Sequence, residues 1–239
     1  PISMENDANC FALAEAILGA AKGYGVVFGV IMGTGVGGGI IINSNIHRGP
    51  NHIAGEWGHH VLYPDGRDCY CGNKGCTESY ISGTALEKEW YELTGENHIV
   101  TDIIDNGLYK SHPEWKDKFI LNYGRALSNI INIIDPDCVV LGGGLSKVDI
   151  LYSEGKDAVY SKVFVSYTHL TLPTICSVEI SVGAGSLKKK NSNRIPFFAV
   201  FYNTQLPLTT TIDLAIIHIA AHSLTTLFFF FFFPPFFSL

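Results

Sequence analysis

Apolar and polar positions along most of the chain follow two periods. Residues 8–22 are alanine-rich with helical spacing, and Asn6 and Asp7 before them suit a helix start. Gly23 to Gly25 end that helix. Residues 26–31 form a β-branched apolar run, which predicts a buried strand. A glycine-rich stretch, Gly33, Thr34, Gly35, Val36, Gly37, Gly38, Gly39, predicts a turn, and residues 40–42 a second strand. Residues 77–94 and 115–134 have helical periodicity. Asp135, Pro136 and Asp137 break the second of these helices. Residues 138–141 predict a short buried strand, and Gly142, Gly143 and Gly144 a tight turn into a further helix. Strands interleaved with helices predict an α/β fold.

The pattern breaks after about Val165. Lys188, Lys189 and Lys190 open a polar basic run, and from residue 195 to 239 the only acidic or basic side chain is Asp213. Phe228 to Phe233 is an unbroken phenylalanine tract, more aromatic surface than a soluble domain exposes. Residues 214–233 are long enough to span a bilayer. His218, His222, Ser223, Thr225 and Thr226 dilute that stretch, and no aromatic belt or flanking basic cluster accompanies it. Low charge and high phenylalanine content argue against a native disordered tail. A phenylalanine homopolymer is what a T-rich nucleotide tract gives on translation, and residues 165–174 resemble a string found at the ends of unrelated translated assemblies. Residues 166–239 are therefore expected to be a non-native or disordered tail, with no membrane attachment, behind a partial domain over residues 1–165. The chain opens on Pro1 in mid-pattern, so a missing N-terminus is also expected.

Composition narrows the function. The chain has 239 residues and is 47% hydrophobic, enough for a sizeable core. A formal net charge of -6 argues against nucleic acid as a partner, since phosphate binding needs a basic face. Three of the six cysteines fall between Cys69 and Cys76, which points to metal binding in a reducing, cytoplasmic compartment and not to a disulfide framework.

That cysteine run reads Cys69, Tyr70, Cys71, Gly72, Asn73, Lys74, Gly75, Cys76. Zinc takes four soft or borderline ligands in a tetrahedron, and thiolates at this spacing supply three from one loop. His59 is the fourth candidate and His60 its competitor. Three cysteines and one histidine fill the shell, so the site is expected to be structural; a catalytic zinc keeps an open position.

The glycine stretch at Gly33, Thr34 and Gly35 offers backbone N–H groups and a hydroxyl to phosphate oxygens. A strand follows it instead of the helix of a dinucleotide fold, which predicts a phosphate-gripping hairpin. Asp7 can accept the proton of a substrate hydroxyl attacking phosphorus, although simple N-capping also accounts for an aspartate there. Glu56 and Glu78 bracket the cysteine loop and suit hydrogen bonding to vicinal sugar hydroxyls. Gly142, Gly143 and Gly144 allow close approach of a nucleotide.

Together these motifs resemble the ROK family of sugar kinases and repressors, within the actin-like ATPase (ribonuclease H-like) fold. The resemblance covers residues 5–162 and is carried by Glu5 to Asn9, Gly33 to Gly39, Gly55 to His59, the cysteine run through Glu78, and Asp135 to Gly144. It implies that Asp7 is the catalytic base and that Asn6, Glu56, His59 and Glu78 contact sugar. It implies that His59, Cys69, Cys71 and Cys76 bind zinc. Gly33, Thr34 and Gly35, with Gly142, Gly143 and Gly144, would bind ATP. It further implies Mg2+ with ATP, a homodimer, and a hexose substrate. Val27 to Val30 and Ile53 to His59 look most like bacterial fructokinase or mannokinase members, so fructose is the expected sugar, with fructose 6-phosphate the product. The alternatives are a sugar-responsive repressor and an N-acetylhexosamine kinase. The family's N-terminal Asp-x-Gly-Gly-Thr motif and its last strand and helix are expected to be absent, and the chain itself is expected to be inactive.

Overall fold

The computed structural model describes residues 2–3, 5–164, 174–177, 198–199, 214–221 and 224–231. In chain order the regular elements are β1 (Ile2–Ser3), α1 (Asp7–Ile17), β2 (Val26–Met32), β3 (Val36–Ile42), β4 (Asn45–Ile46), α2 (Glu78–Ile81), α3 (Gly83–Thr94), α4 (Val100–Asp105), α5 (Pro113–Ile134), β5 (Cys138–Gly142), α6 (Glu154–Tyr160), β6 (Thr174–Ser177), β7 (Phe198–Ala199), β8 (Leu214–Ala221) and β9 (Leu224–Phe231). The chain divides into two compact units. One is Ala8–Val178; the other combines Pro1–Asp7 with Glu179–Leu239.

Strand β2 organises the larger unit because its run of apolar residues is buried on both faces. It pairs antiparallel with β3 and parallel with β5, in a sheet of order β4-β3-β2-β5-β6. Phe28, Val30 and Met32 face one core with Val139 and Leu141 of β5. Helix α5 closes that core with Trp115, Phe119, Tyr123, Leu127 and Ile131, a stripe at four-residue spacing. Val27, Ile41, Cys138 and Val140 face the opposite way, onto Ala12 and Ala16 of α1. The period of two along each strand therefore gives a three-layer α/β/α arrangement.

Helix α1 is alanine-rich because it lies almost on the sheet. A Cβ on Gly29 would meet the Ala12 Cβ at 2.5 Å, and one on Gly39 would meet the Ala8 carbonyl at 2.7 Å. This explains a departure from the predicted turn. Gly37, Gly38 and Gly39 belong to strand β3, where they make room for α1 and Trp57; only residues 33–35 form the turn. The expected helix over 77–94 is also divided. Ser82 adopts extended dihedrals (φ -74°, ψ 159°) and its side chain accepts the Ala85 N–H, so it ends α2 and caps α3. Helix α5 ends at Asp135 in the left-handed region (φ 49°), followed by Pro136. The Asp137 carboxylate then accepts the N–H groups of Gly25 (3.1 Å) and Val26 (2.8 Å), fixing the start of β2 beside β5.

The larger unit runs past the expected boundary at 165, because β6 pairs parallel with β5, with Val140 opposite Cys176. The sheet thus gains a strand where the sequence predicted none. In the second unit β1, β9, β8 and β7 form a four-stranded sheet. Residues 214–221 and 224–231 are strands of one antiparallel pair, and no described helix is long and apolar enough to cross a membrane. The rest of the expected tail, including Lys188 to Lys190, lies outside the described residues.

Candidate functional site

Four potential metal ligands converge in the loop between Trp57 and Glu78. Their donor atoms, from His59, Cys69, Cys71 and Cys76, all lie within 4.8 Å of one another. A tight turn brings the first thiols in: the Gly72 N–H donates to the Cys69 carbonyl (3.0 Å) and the Cys69 N–H to the Asn73 carbonyl (2.9 Å). Gly75, at φ +74°, is pressed against the Tyr63 backbone, a place no side chain could take. Its N–H donates to the Arg67 carbonyl at 2.7 Å, and Cys76 is thereby carried back beneath His59.

The spacing of the donors suits a tetrahedral ion. The Cys71 and Cys76 sulfurs are 3.6 Å apart, and the Cys69 sulfur is 3.6 Å from His59 Nδ1. Zinc–thiolate bonds of ~2.3 Å at tetrahedral angles give sulfur–sulfur separations of about 3.8 Å. The two thiols of the close pair differ in character. A hydrogen bond from the Asn73 backbone draws the exposed Cys71 thiol below its ordinary range. Burial, with the Cys71 thiol beside it, pushes Cys76 up to about 12.

The structure also separates the two histidines. His60 is engaged elsewhere: its Nδ1 lies 2.7 Å from the Trp57 carbonyl, and its ring reaches the Thr77 hydroxyl. His59 turns Nδ1 to the thiols and Nε2 to the Tyr70 hydroxyl, 3.1 Å away. Tyr70 was not among the residues the sequence singled out. Its ring is 83% exposed, but its hydroxyl end is held over His59, with the Glu78 and Glu56 carboxylates close by. Burial of that end, then the charge of Glu78, raises the phenol's pKa.

Glu78 links this cluster to the glycine turn. Its Oε2 accepts the Val36 N–H at 2.9 Å, and a Cβ on Gly35 would meet the same oxygen at 2.6 Å. The turn is fastened from below as well. The Gly83 N–H donates to the Gly33 carbonyl (2.7 Å), and the Thr84 hydroxyl to the Thr34 carbonyl (2.9 Å). Among the described residues no acceptor takes the N–H of Thr34 or Gly35.

The second glycine turn stands at the same end of the sheet. Gly142 pairs with Ile31, and Gly143, at φ +83° and ψ -179°, packs on the Met32 carbonyl. Only glycine adopts that conformation freely. Gly142 itself is buried against the Phe11 ring, while Gly143 and Gly144 are exposed. A three-residue 3-10 turn precedes His60, so Glu56 and His59 sit at its two ends, with Glu56 exposed. Asn6 and Asp7 fall in the smaller compact unit; the Asn6 N–H donates to Glu5 Oε1 at 3.0 Å, and Asp7 is the first residue of α1.

Comparison with known proteins bears on the family and the fold. The sequence profile described as ROK family matches residues 1–190. The N-acetyl-D-glucosamine kinase of Yersinia enterocolitica is 41% identical over 168 residues, covering 64% of this chain and 54% of its own length. The chain thus spans about half the length of the curated relatives it matches. Among solved structures, the ROK hexokinase of Thermus thermophilus superposes with a TM-score of 0.67 at 28% identity, covering 76% of this chain and 61% of that one. A ROK glucokinase from Streptomyces griseus, solved with glucose and AMPPNP, gives 0.61 at 27% identity, covering 73% and 62%. The fold is thus that of these sugar kinases, an actin-like ATPase fold. The expectation of fructose is not supported: curated relatives of the chain are named N-acetyl-D-glucosamine kinases.

Proposed function

The chain belongs to the ROK family, and we propose that it supplies the sugar-binding and phosphate-binding part of an ATP-dependent kinase for an N-acetylhexosamine, N-acetylglucosamine above all. The observation that carries this reading is the Glu78–Val36 hydrogen bond, which holds a sugar-side carboxylate against a glycine turn with unclaimed N–H groups. The relatives' names supply the N-acetyl group.

In this reading Glu56, His59 and Glu78, with Asn6, take the sugar hydroxyls. The Thr34 and Gly35 N–H groups donate hydrogen bonds to a phosphate of ATP, as backbone donors at a glycine turn do. Gly143 and Gly144, exposed beside them, let the nucleotide approach the end of β5, with Gly142 shaping the turn from below. Asp7 receives the proton from the attacking sugar hydroxyl; that oxygen bonds to the terminal phosphorus, and ADP leaves with the cleaved bond's electrons. Mg2+ accompanying ATP neutralises charge on the phosphates when bound.

His59, Cys69, Cys71 and Cys76 would hold one zinc ion in a closed shell. These four residues would hold the loop that carries His59 and leads into Glu78, the bound ion supplying structural closure.

The test is phosphorylation by the whole protein, with ATP and a panel of N-acetylglucosamine, N-acetylmannosamine, glucose and fructose. The expected order puts N-acetylglucosamine first in kcat/KM. A preference for fructose, or phosphorylation of none of the four, overturns the reading.

A further inference from the structure

We propose that Arg67 is the positioning residue of Glu78: its guanidinium bridges α2 and α3 and so fixes the Glu78 carboxylate between the sugar side and the glycine turn. Glu78 opens α2, a helix of only four residues. The extended backbone at Ser82 separates that helix from α3, so no continuous helix holds Glu78 in place. Arg67 spans the break. Its Nη1 donates to the Ser79 carbonyl on α2 at 3.0 Å, and its Nη2 donates to Glu89 Oε2 on α3 at 3.2 Å. A planar guanidinium offers its donors in such a fixed fork, which a lysine cannot.

Both ends of the bridge are anchored. On α2, the Arg67 backbone N–H donates to the Tyr80 hydroxyl at 2.8 Å, and the guanidinium lies over the Tyr80 ring, 5.0 Å from its centroid. On α3, Glu89 is 8% exposed, and a carboxylate so buried needs partners for its charge. Arg67 takes Oε2, and Lys118 of α5 takes Oε1 at 2.6 Å. The carboxylate that holds Arg67 is thus itself held by α5. Ser79 directly follows Glu78, whose own Oε2 accepts the Val36 N–H at 2.9 Å. The fork of Arg67 therefore grips α2 one residue from the carboxylate that it positions.

The consequence for sugar rests on the proposed role of Glu78 as a sugar contact; the Val36 contact gives a readout without sugar. Both are measured on the full chain with Arg67→Ala. Amide exchange at Val36, followed by NMR, should quicken about fivefold, as loss of one hydrogen bond gives, while exchange at Val30 in the middle of β2 stays at its wild-type rate. N-acetylglucosamine affinity should fall about fivefold, and the same substitution should leave affinity unchanged in a Glu78→Ala background, because no carboxylate is left to position. Where Arg67→Ala does not fold, Arg67→Lys carries the test: it keeps the charge beside Glu89, loses the fork, and should show the same local rise at Val36. Unchanged exchange at Val36, or an equal rise at Val36 and Val30, overturns the proposal. So does a loss of sugar affinity of equal size with and without the Glu78 carboxylate. A local rise at Val36 in a protein whose wild type binds none of the sugars upholds the positioning role and overturns only the proposed function.

Discussion

The Glu78 carboxylate and the Val36 N–H are joined across 42 residues of sequence by a hydrogen bond of 2.9 Å. Glu78 directly follows the last cysteine of the metal cluster and its neighbour Thr77, and Val36 directly follows the glycine turn. The bond therefore makes the sugar side and the phosphate side of the proposed site one piece. A side chain at position 35 would displace this carboxylate, since a Cβ there meets Glu78 Oε2 at 2.6 Å.

Two substitutions at Glu78 should separate its tasks. Glu78→Gln keeps an acceptor for Val36 and removes the charge. Its unfolding free energy should stay within about 0.5 kcal/mol of wild type, the usual range for a tolerated change. Sugar binding by calorimetry should weaken about tenfold, since hydrogen bonds to charged acceptors are the stronger ones. Glu78→Ala should show the same binding loss and in addition be destabilised by about 1 kcal/mol in urea, the net value of a hydrogen bond. Equal stability of the two variants would show that the Val36 contact contributes nothing.

Asp7→Asn tests the proposed base. The amide keeps the shape and a helix-capping oxygen but cannot take a proton. In the whole protein, ADP release should fall by roughly 10²- to 10⁴-fold, the range for loss of a general base. N-acetylglucosamine should still bind with near-normal affinity. Near-normal turnover in this variant would remove Asp7 from the reaction.

The convergence of the three thiols was legible in the sequence because its constraint is local. Three thiols within eight positions can converge through one turn, and the glycines at 72 and 75 mark where the backbone must fold tightly. Strands β2 and β5 were legible from their short continuous apolar runs. What remained hidden depends on distant contacts. Gly37 to Gly39 read as turn because nothing nearby says that α1 will press on them. The break at Ser82 interrupts an unbroken helical pattern through its extended dihedrals and its side-chain cap on the Ala85 N–H. The reading of the sugar as fructose had a similar origin. It leaned on residues 53–59, of which Glu56 and His59 alone are proposed to meet sugar while Gly55 and Trp57 pack on β3, and on residues 27–30, where Val27, Phe28 and Val30 are fully buried strand residues. Such positions preserve the sheet and its packing, and a core residue that never meets the substrate carries no information about it.

Metal content and its removal should show the cluster's structural role. Metal analysis is expected to find about one zinc per chain, as a closed four-ligand site requires. Cys76→Ser, which removes the buried sulfur, should lose the metal. Chelation of wild type should lower its stability by roughly 4 kcal/mol when free zinc had stood at a thousand times its Kd. The change should be seen as a shifted unfolding midpoint that added zinc restores. A chelator that leaves the midpoint unmoved would deny the ion any structural part.

Glu15 gives a pH dependence of definite sign. Its side chain is 2% exposed beneath the end of α1, where Oε2 accepts the Ala20 N–H at 2.9 Å. Burial raises its pKa above the ordinary carboxylate value, with the Ala20 hydrogen bond opposing it. The folded chain thus holds this proton more tightly than the unfolded one. The group's contribution to stability is fully present below the ordinary carboxylate range and is lost as pH rises through the raised pKa. Glu15→Gln retains the acceptor and never ionises. It should be more stable than wild type at pH 7, with the advantage shrinking as pH falls toward the ordinary carboxylate value. Urea unfolding of both proteins at pH 7 and at about pH 4, near the carboxylate reference, measures it. An advantage of equal size at the two pH values would mean that the substitution acts through packing and that the buried charge costs nothing.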